Sequence, residues 1–120
     1  MGIYTLCDSE YRFMQVVWAH APLASGELVE LCARELGWKK STTYTVLKKL
    51  CDKGLLKNEN ARVGVLVPRE DVTAAEAAEF VGRTFGGSLP LFLTAFMSGR
   101  KLSTEEAENL KRLIDAHREA

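Results

Sequence analysis

The strongest constraint on the fold is a change of hydrophobic period at Gly54. Before this glycine, four residues follow the i, i+3, i+4, i+7 spacing of one helix face: Thr43, Val46, Leu47 and Leu50. After it, apolar residues recur with a period close to two on both sides of a polar turn at 58–62, and Pro68 follows. This alternation is typical of a short antiparallel hairpin. The chain therefore predicts a helix that leads directly into a hairpin.

Two more helices are predicted upstream. Asp8 and Ser9 offer an N-cap for a first helix that ends near His20, and Ser25 can cap a second helix. The second helix ends at Gly37, a residue suited to the left-handed C′ position. The third helix then begins about four residues later, which is the spacing of a helix-turn-helix. Together with the hairpin, this order predicts a winged helix-turn-helix.

Three further helices are predicted after residue 70. Thr73 with Glu76 and Ser103 with Glu106 have the spacing of capping boxes, and Ser88 can cap the helix between them. The middle helix is apolar around nearly its whole circumference, so it must be buried on all sides. A unit of about fifty residues has too little interior for this, so we expect either a second copy of the chain or packing on the winged helix of the same chain.

The homodimer is the favoured interpretation, with residues 1–70 as a DNA-binding domain and residues 71–120 as a helical dimerisation domain. The predicted fold class is mainly α with a small β-hairpin wing. The predicted dimer contacts are Phe80, Phe85, Leu89, Leu91, Phe92, Leu93, Phe96, Met97, Leu110, Leu113 and Ile114.

The charge distribution indicates a nucleic-acid partner. The chain is neutral overall, yet residues 39–69 carry eight basic and only two acidic side chains. Such a segment is the electrostatic footprint that phosphate binding needs. The predicted DNA contacts are Lys39, Lys40, Ser41, Thr42, Tyr44, Thr45, Lys48, Lys49, Lys53 and Arg62. Hydroxyl and ammonium groups can reach phosphates or base edges, while Tyr44 either enters the groove or lies half-buried over the turn.

Other classes of function find little support in the sequence. Phosphate-cradling, zinc-protease and nucleophile-elbow motifs are absent, so the chain is not expected to be an enzyme. Cys7, Cys32 and Cys51 are widely spaced, which predicts no metal site, and no cofactor is expected. No apolar run approaches the roughly 20 residues of a membrane span, and the first residues lack a signal-peptide pattern, so a cytoplasmic protein is expected.

In the order of its motifs, the chain resembles the BlaI/MecI/CopY family, also called the penicillinase repressor family. The matching segments are LCDSEYRFMQVVW, GWKKSTTYTVLKKLCDKGLL and FGGSLPLFLTAFM. The resemblance implies a dimeric winged-helix repressor on a palindromic operator, which controls antibiotic-resistance or stress genes. Lys39 replaces a common serine of this pattern, and Lys49 stands where arginine is frequent.

The resemblance also implies a route of inactivation. In the family, a membrane sensor protease signals for cleavage of the tail before a phenylalanine, and the matching bond joins Ala95 to Phe96. The cysteine-rich C-terminal motif of the copper-responsive branch is missing. Two alternatives stay open from the sequence, namely a winged helix that contacts another protein and a ligand-gated regulator.

Overall fold

The computed structural model describes residues 5–119, which divide after Phe80 into two compact units. The helices and strands in chain order are α1 Asp8–His20, β1 Leu23–Ala24, α2 Ser25–Leu36, α3 Lys40–Asp52, β2 Leu56–Glu59, β3 Arg62–Val65, α4 Arg69–Phe85, α5 Leu89–Met97 and α6 Thr104–Ala116. The first unit has the helices and small sheet of a winged helix, which confirms the predicted fold class. The assignment of residues 1–70 and 71–120 to separate functions stays a prediction.

The core of the first unit forms where α1, α2 and α3 pack together with the sheet. Phe13 and Leu28 are fully buried in it, as is Leu50 of α3. Burying each such side chain contributes about 1.5–3 kcal/mol, so these contacts hold the three helices in place. Trp38 lies just before α3 and stacks on Phe13, with 5.8 Å between ring centroids. The stack fixes the point at which the chain enters α3.

The sheet has three antiparallel strands in the order β1-β3-β2, whereas the sequence predicted only a hairpin. Strand β1 is two residues long, too short to show any period, and it pairs Leu23 with Val63. The predicted polar turn at 58–62 is also shorter than expected. Glu59 pairs with Arg62, so only Asn60 and Ala61 form the turn. We call β2, β3 and this turn the wing.

Two predicted helix caps are wrong. Helix α1 is capped by Cys7 rather than by Asp8 or Ser9, and α2 is capped by Ala24, with Ser25 as its first residue. In both cases a glutamate three residues into the helix accepts from the backbone N–H of the cap residue, at 3.0 Å for Glu10 and 3.4 Å for Glu27. The glutamate half of the capping box thus marks these starts, which a search for Ser, Thr or Asp misses.

Helix α4 begins at Arg69, so the capping box predicted for Thr73 and Glu76 is also wrong. The Pro68 carbonyl accepts from the Val72 N–H at 3.4 Å, and the Val72 side chain is fully buried. Acidic side chains in the first turn complement the helix dipole there. Because Val72 is needed in the core, the helix has to form before Thr73.

The second unit contains helices α5 and α6. Ser88 Oγ accepts from the Leu91 N–H at 3.2 Å, and Ser103 Oγ accepts from the Glu106 N–H at 3.1 Å, so these two predicted caps are confirmed. Phe92 contacts Phe85 edge-on, with 5.5 Å between centroids, and Phe96 at 5.8 Å. No residue of α5 or α6 is buried. These helices therefore keep their apolar side chains at least partly exposed.

The wing turn gives a test of the fold. Asn60 and Ala61 have φ values of 51° and 61°, the left-handed geometry of a two-residue hairpin turn. Asparagine tolerates this region, whereas alanine is strained there by about 1 kcal/mol. We expect Ala61→Gly to raise the free energy of unfolding by about that amount in urea denaturation followed by tryptophan fluorescence. Asn60→Gly is the control and should change stability less, and a less stable Ala61→Gly protein would contradict this turn geometry.

Candidate nucleic-acid interface

Packing of α3 determines which of its side chains face outward. Thr43, Leu47 and Leu50 are buried against the core and Val46 is partly buried beside them, while the other residues at 40–49 are exposed. The ten predicted DNA contacts are all exposed, and seven of them form the outer face of this helix. We call these seven the recognition face: Lys40, Ser41, Thr42, Tyr44, Thr45, Lys48 and Lys49. The structure therefore groups on one helix most of the residues that the sequence selected.

The N-terminus of α3 lacks the cap that α1 and α2 have. Its N-cap residue is Lys39, whose side chain makes no capping hydrogen bond, and the first turn contains no acid. The first backbone bond of the helix runs from the Thr43 N–H to the Lys39 carbonyl at 3.1 Å, so the N–H groups before it point out of the helix end. Lysines here oppose the helix dipole by about 0.3–1 kcal/mol each. This end is therefore suited to an anion.

Most of the lysines near this end have no internal counter-ion. Within residues 5–119, Lys39, Lys40 and Lys49 lie in no ion pair with a carboxylate. Lys48 lies 3.5 Å from Asp52, but both side chains are more than two-thirds exposed, at 79% and 68%. Such an exposed pair contributes little and can be exchanged for another anion. The recognition face thus carries positive charge that is free to interact.

Lys53 has a different environment from the other predicted contacts. Its Nζ lies 3.0 Å from both carboxylate oxygens of Glu10 and donates to the Thr5 carbonyl at 3.3 Å. Burial alone would raise the pKa of Glu10, but the Cys7 N–H and the Lys53 ammonium outweigh it and hold the pKa below its ordinary value. The charge of Lys53 is therefore compensated by Glu10, and this ion pair joins the end of α3 to α1.

The wing adds two cations. Arg62 follows the turn and lies opposite Glu59, while Lys57 lies opposite Gly64. A Cβ on Gly64 would come within 3.1 Å of Lys57 Cε, so the aliphatic part of Lys57 runs across the space that the glycine leaves. Lys57 is not among the DNA contacts predicted from the sequence. The feature that distinguishes Lys57 is a glycine opposite it on the neighbouring strand. This pairing depends on the register of the hairpin, which the sequence alone does not give.

One residue brings the wing and the recognition face together. The Ser25 N–H donates to the Ala61 carbonyl at 2.8 Å, and Ser25 Oγ accepts from the Tyr44 hydroxyl at 3.4 Å. Tyr44 is 37% exposed, so it is half-buried with its hydroxyl bonded inside the chain, the second of the two arrangements expected from the sequence. Arg62 pairs with Ala24, the residue directly before Ser25. The outer face of α3 and the wing turn therefore adjoin and form one surface.

The second unit exposes the other group of predicted contacts. Leu89, Leu91, Phe96, Leu113 and Ile114 are each between 53% and 59% exposed. An open apolar groove is lined by Leu89, Leu113 and Ile114 together with residues near the end of α6. Phe80 is also exposed, and the remaining predicted dimer contacts are partly buried: Phe85, Phe92, Leu93, Met97 and Leu110. Apolar surface of this extent is typical of a protein interface.

The bond between Ala95 and Phe96 lies inside helix α5. The Ala95 carbonyl accepts from the Ser98 N–H at 3.3 Å, and the Phe96 carbonyl accepts from the Arg100 guanidinium. The same guanidinium lies 4.8 Å from the centre of the Phe96 ring. A protease binds its substrate in an extended form, so the last turn of α5 would have to open before this bond is cut.

Among residues 5–119, no group of histidine, cysteine and acidic side chains has an arrangement that could hold a metal ion. In the same part of the chain, none of the helices combines the length and the apolar character needed to span a bilayer.

Comparison with known proteins decides the family. Residues 6–116 match the family described as penicillinase repressor. The chain belongs to the penicillinase repressor family. It is 26% identical over 117 residues to the penicillinase repressor of Bacillus licheniformis, covering 94% of this chain and 91% of that protein. It is 21% identical over 116 residues to the methicillin resistance regulatory protein MecI of Mammaliicoccus sciuri, covering 93% and 94%.

A third relative is 27% identical over 119 residues, covering 92% of this chain and 79% of the relative; it is an uncharacterised 16.5 kDa protein encoded in the ptsI 3′ region of Latilactobacillus sakei. Membership of the penicillinase repressor family confirms the resemblance and the expectation of a DNA-binding transcriptional repressor. Repressors of this kind are not enzymes.

The ion pair between Glu10 and Lys53 gives a prediction on stability. Because the pKa of Glu10 is lowered in the folded protein, the pair stabilises the fold at neutral pH, and this contribution is lost as pH falls through the folded pKa. Lys53 is partly exposed, so we expect Glu10→Gln to cost about 1–2 kcal/mol at pH 7, less than a fully buried pair. Denaturation at several pH values should show the difference from wild type vanishing well below the ordinary glutamate pKa of about 4.3.

The matched variant Lys53→Met removes the other partner and keeps the methylene packing. It should lose a similar free energy of unfolding and leave DNA affinity nearly unchanged. If Lys53→Met left the stability unchanged and caused a large loss of DNA affinity, Lys53 would instead be a DNA contact.

Proposed function

We propose that this member of the penicillinase repressor family binds a palindromic operator as a homodimer through the recognition face and the wing. The observation that carries the proposal is a lysine-rich face, on which only Lys48 has a counter-ion among the described residues, at an uncapped helix N-terminus next to the wing turn. The free N–H groups of α3 suit a backbone phosphate, and the Thr42 hydroxyl suits a base edge or a phosphate. The Thr45 hydroxyl donates to the Ser41 carbonyl at 2.9 Å, so its oxygen can only accept from a base, while its methyl group can contact one. In this arrangement α3 lies in the major groove and Arg62 approaches the backbone beside it.

The dimer follows from the apolar surface of the second unit. The exposed apolar side chains of α5 and α6 are stabilised when another surface buries them. In a symmetric dimer, the same surface of a second copy can do this. A dimer that places two copies of α3 roughly 34 Å apart would read two half-sites one helical turn from each other. The two weak half-site contacts then act together, which gives tight and salt-sensitive binding.

Release from the operator is proposed to involve proteolysis. Cutting between Ala95 and Phe96 would divide α5, the helix that is apolar around its circumference. The dimer surface would be lost, and each protomer would keep only one half-site contact. A membrane sensor protease that signals for this cut is part of the same proposal, as is the control of antibiotic-resistance or stress genes.

Selection of bound sequences from a random duplex library, at two salt concentrations, tests the proposal. A recovered palindrome with half-sites about one helical turn apart supports a dimeric repressor. Recovery of no motif, with binding that vanishes at moderate salt, would favour a winged helix that contacts another protein.

The N-cap of α3 gives a prediction in which stability and binding change in opposite directions. Asp in place of Lys39 can accept from the free N–H groups and complements the dipole, so Lys39→Asp should raise the free energy of unfolding by about 1 kcal/mol. The same change places a negative charge where a phosphate should bind. Operator affinity should fall severalfold, and the salt slope should fall by about one phosphate contact.

Lys101→Asp is the control for this variant. It changes the net charge by the same amount, but Lys101 lies in the second unit, between α5 and α6. Equal losses of operator affinity in Lys39→Asp and Lys101→Asp would contradict a phosphate site at the start of α3.

The dimer surface gives a separate prediction. Leu91 is 59% exposed, so Leu91→Glu should leave the protomer folded while it charges the apolar surface. We expect monomers in sedimentation and a large loss of operator affinity. The control Lys111→Glu reverses the charge at an exposed, already charged position of α6 and should remain dimeric. A dimeric Leu91→Glu protein would contradict an interface at Leu91.

A further inference from the structure

Ser25 connects the two parts of the candidate interface through separate groups. It is the first residue of α2 and is only 5% exposed. Its backbone N–H donates to the carbonyl of Ala61 in the wing turn at 2.8 Å. Its hydroxyl accepts from the hydroxyl of Tyr44 on the recognition face at 3.4 Å. A single small residue thus bonds both elements that are proposed to face DNA.

We propose that Ser25 and Tyr44 are positioning residues that set the distance between the wing turn and the recognition face. This inference rests on the proposed function. The Tyr44 hydroxyl is turned toward Ser25, so it is committed inside the chain and not to a base. Thr42 and Lys49 are then left to reach the duplex. We call Tyr44, Ser25 and Ala61, which fix the position of these residues relative to the wing turn, the junction.

Such a junction should affect selective binding more than general attraction to DNA. Phosphate contacts from long lysine side chains adapt to small shifts of the backbone, whereas base contacts need fixed distances and angles. The two residues of β1, directly before Ser25, pair with β3 and so join the wing to the start of α2. A loose junction would let the wing turn shift against α3, so specific affinity would fall while the number of phosphate contacts stayed the same.

The first arm of the test uses the free full-length protein. Tyr44→Phe removes one oxygen and keeps the ring, so any effect on the wing passes through Ser25. We expect amide hydrogen exchange at Ser25 to become severalfold faster, because its N–H bond to Ala61 is less well held. Unchanged exchange at Ser25 in Tyr44→Phe would overturn the junction.

The second arm measures binding to the selected duplex and to an unrelated duplex for Ser25→Ala, Tyr44→Phe and the double variant. Each single variant should lose about three- to tenfold in affinity for the selected duplex, the worth of one hydrogen bond, with the salt slope and the unrelated duplex unaffected. The double variant should lose no more than either single variant, because both remove the same bond.

Additive losses, or equal losses on both duplexes, would overturn the inference and leave the proposed function intact. A loss in Tyr44→Phe without one in Ser25→Ala would also overturn it, since the tyrosine hydroxyl would then contact DNA itself. Failure of the wild-type protein to select any duplex would overturn the proposed function, and with it the role of the junction in reading DNA.

Discussion

Burial of one face of α3 is the constraint on which the rest of the structure depends. Thr43, Leu47 and Leu50 are buried in the core, so rotation of the helix about its axis would expose leucines and bury lysines. Burying an unpaired lysine costs far more than any single apolar contact contributes. The direction of the recognition face is therefore set by the core. The stack of Trp38 on Phe13 and the ion pair of Lys53 with Glu10 hold the two ends of the same helix.

The helix starts show how stability and binding are separated along the chain. In the first turn of α1 and of α2, a glutamate accepts from the backbone N–H of the cap residue. Helices α5 and α6 each have a serine as the cap residue. Helix α3 has lysines and no cap at the same place. Local stability is thus given up at the helix end where the proposed function needs a bound phosphate, and the apolar core of the first unit compensates for it.

Much of the fold follows from hydrophobic period, because α3, the hairpin and α6 each have enough residues to show one. Helix α5 has no such period and is predicted from its serine cap and its continuous apolar run. The parts that were missed are those that depend on tertiary contact. Two-residue β1 has no period of its own, and α4 starts before its apparent capping box because Val72 is needed in the core. In the candidate interface, charge and helix face selected the exposed residues. Local sequence could not separate Lys53 from its neighbours, since its partner Glu10 lies 43 residues away.

The outer face of α3 and the wing turn are proposed to form one DNA-binding surface. Titration of the labelled protein with the selected duplex, followed by amide chemical shifts, tests this most directly. We expect the largest changes at residues 40–49 and 60–62, with little change at Glu10. Changes centred on the exposed face of α2, around Glu27 and Glu30, or on α5 and α6 would contradict it.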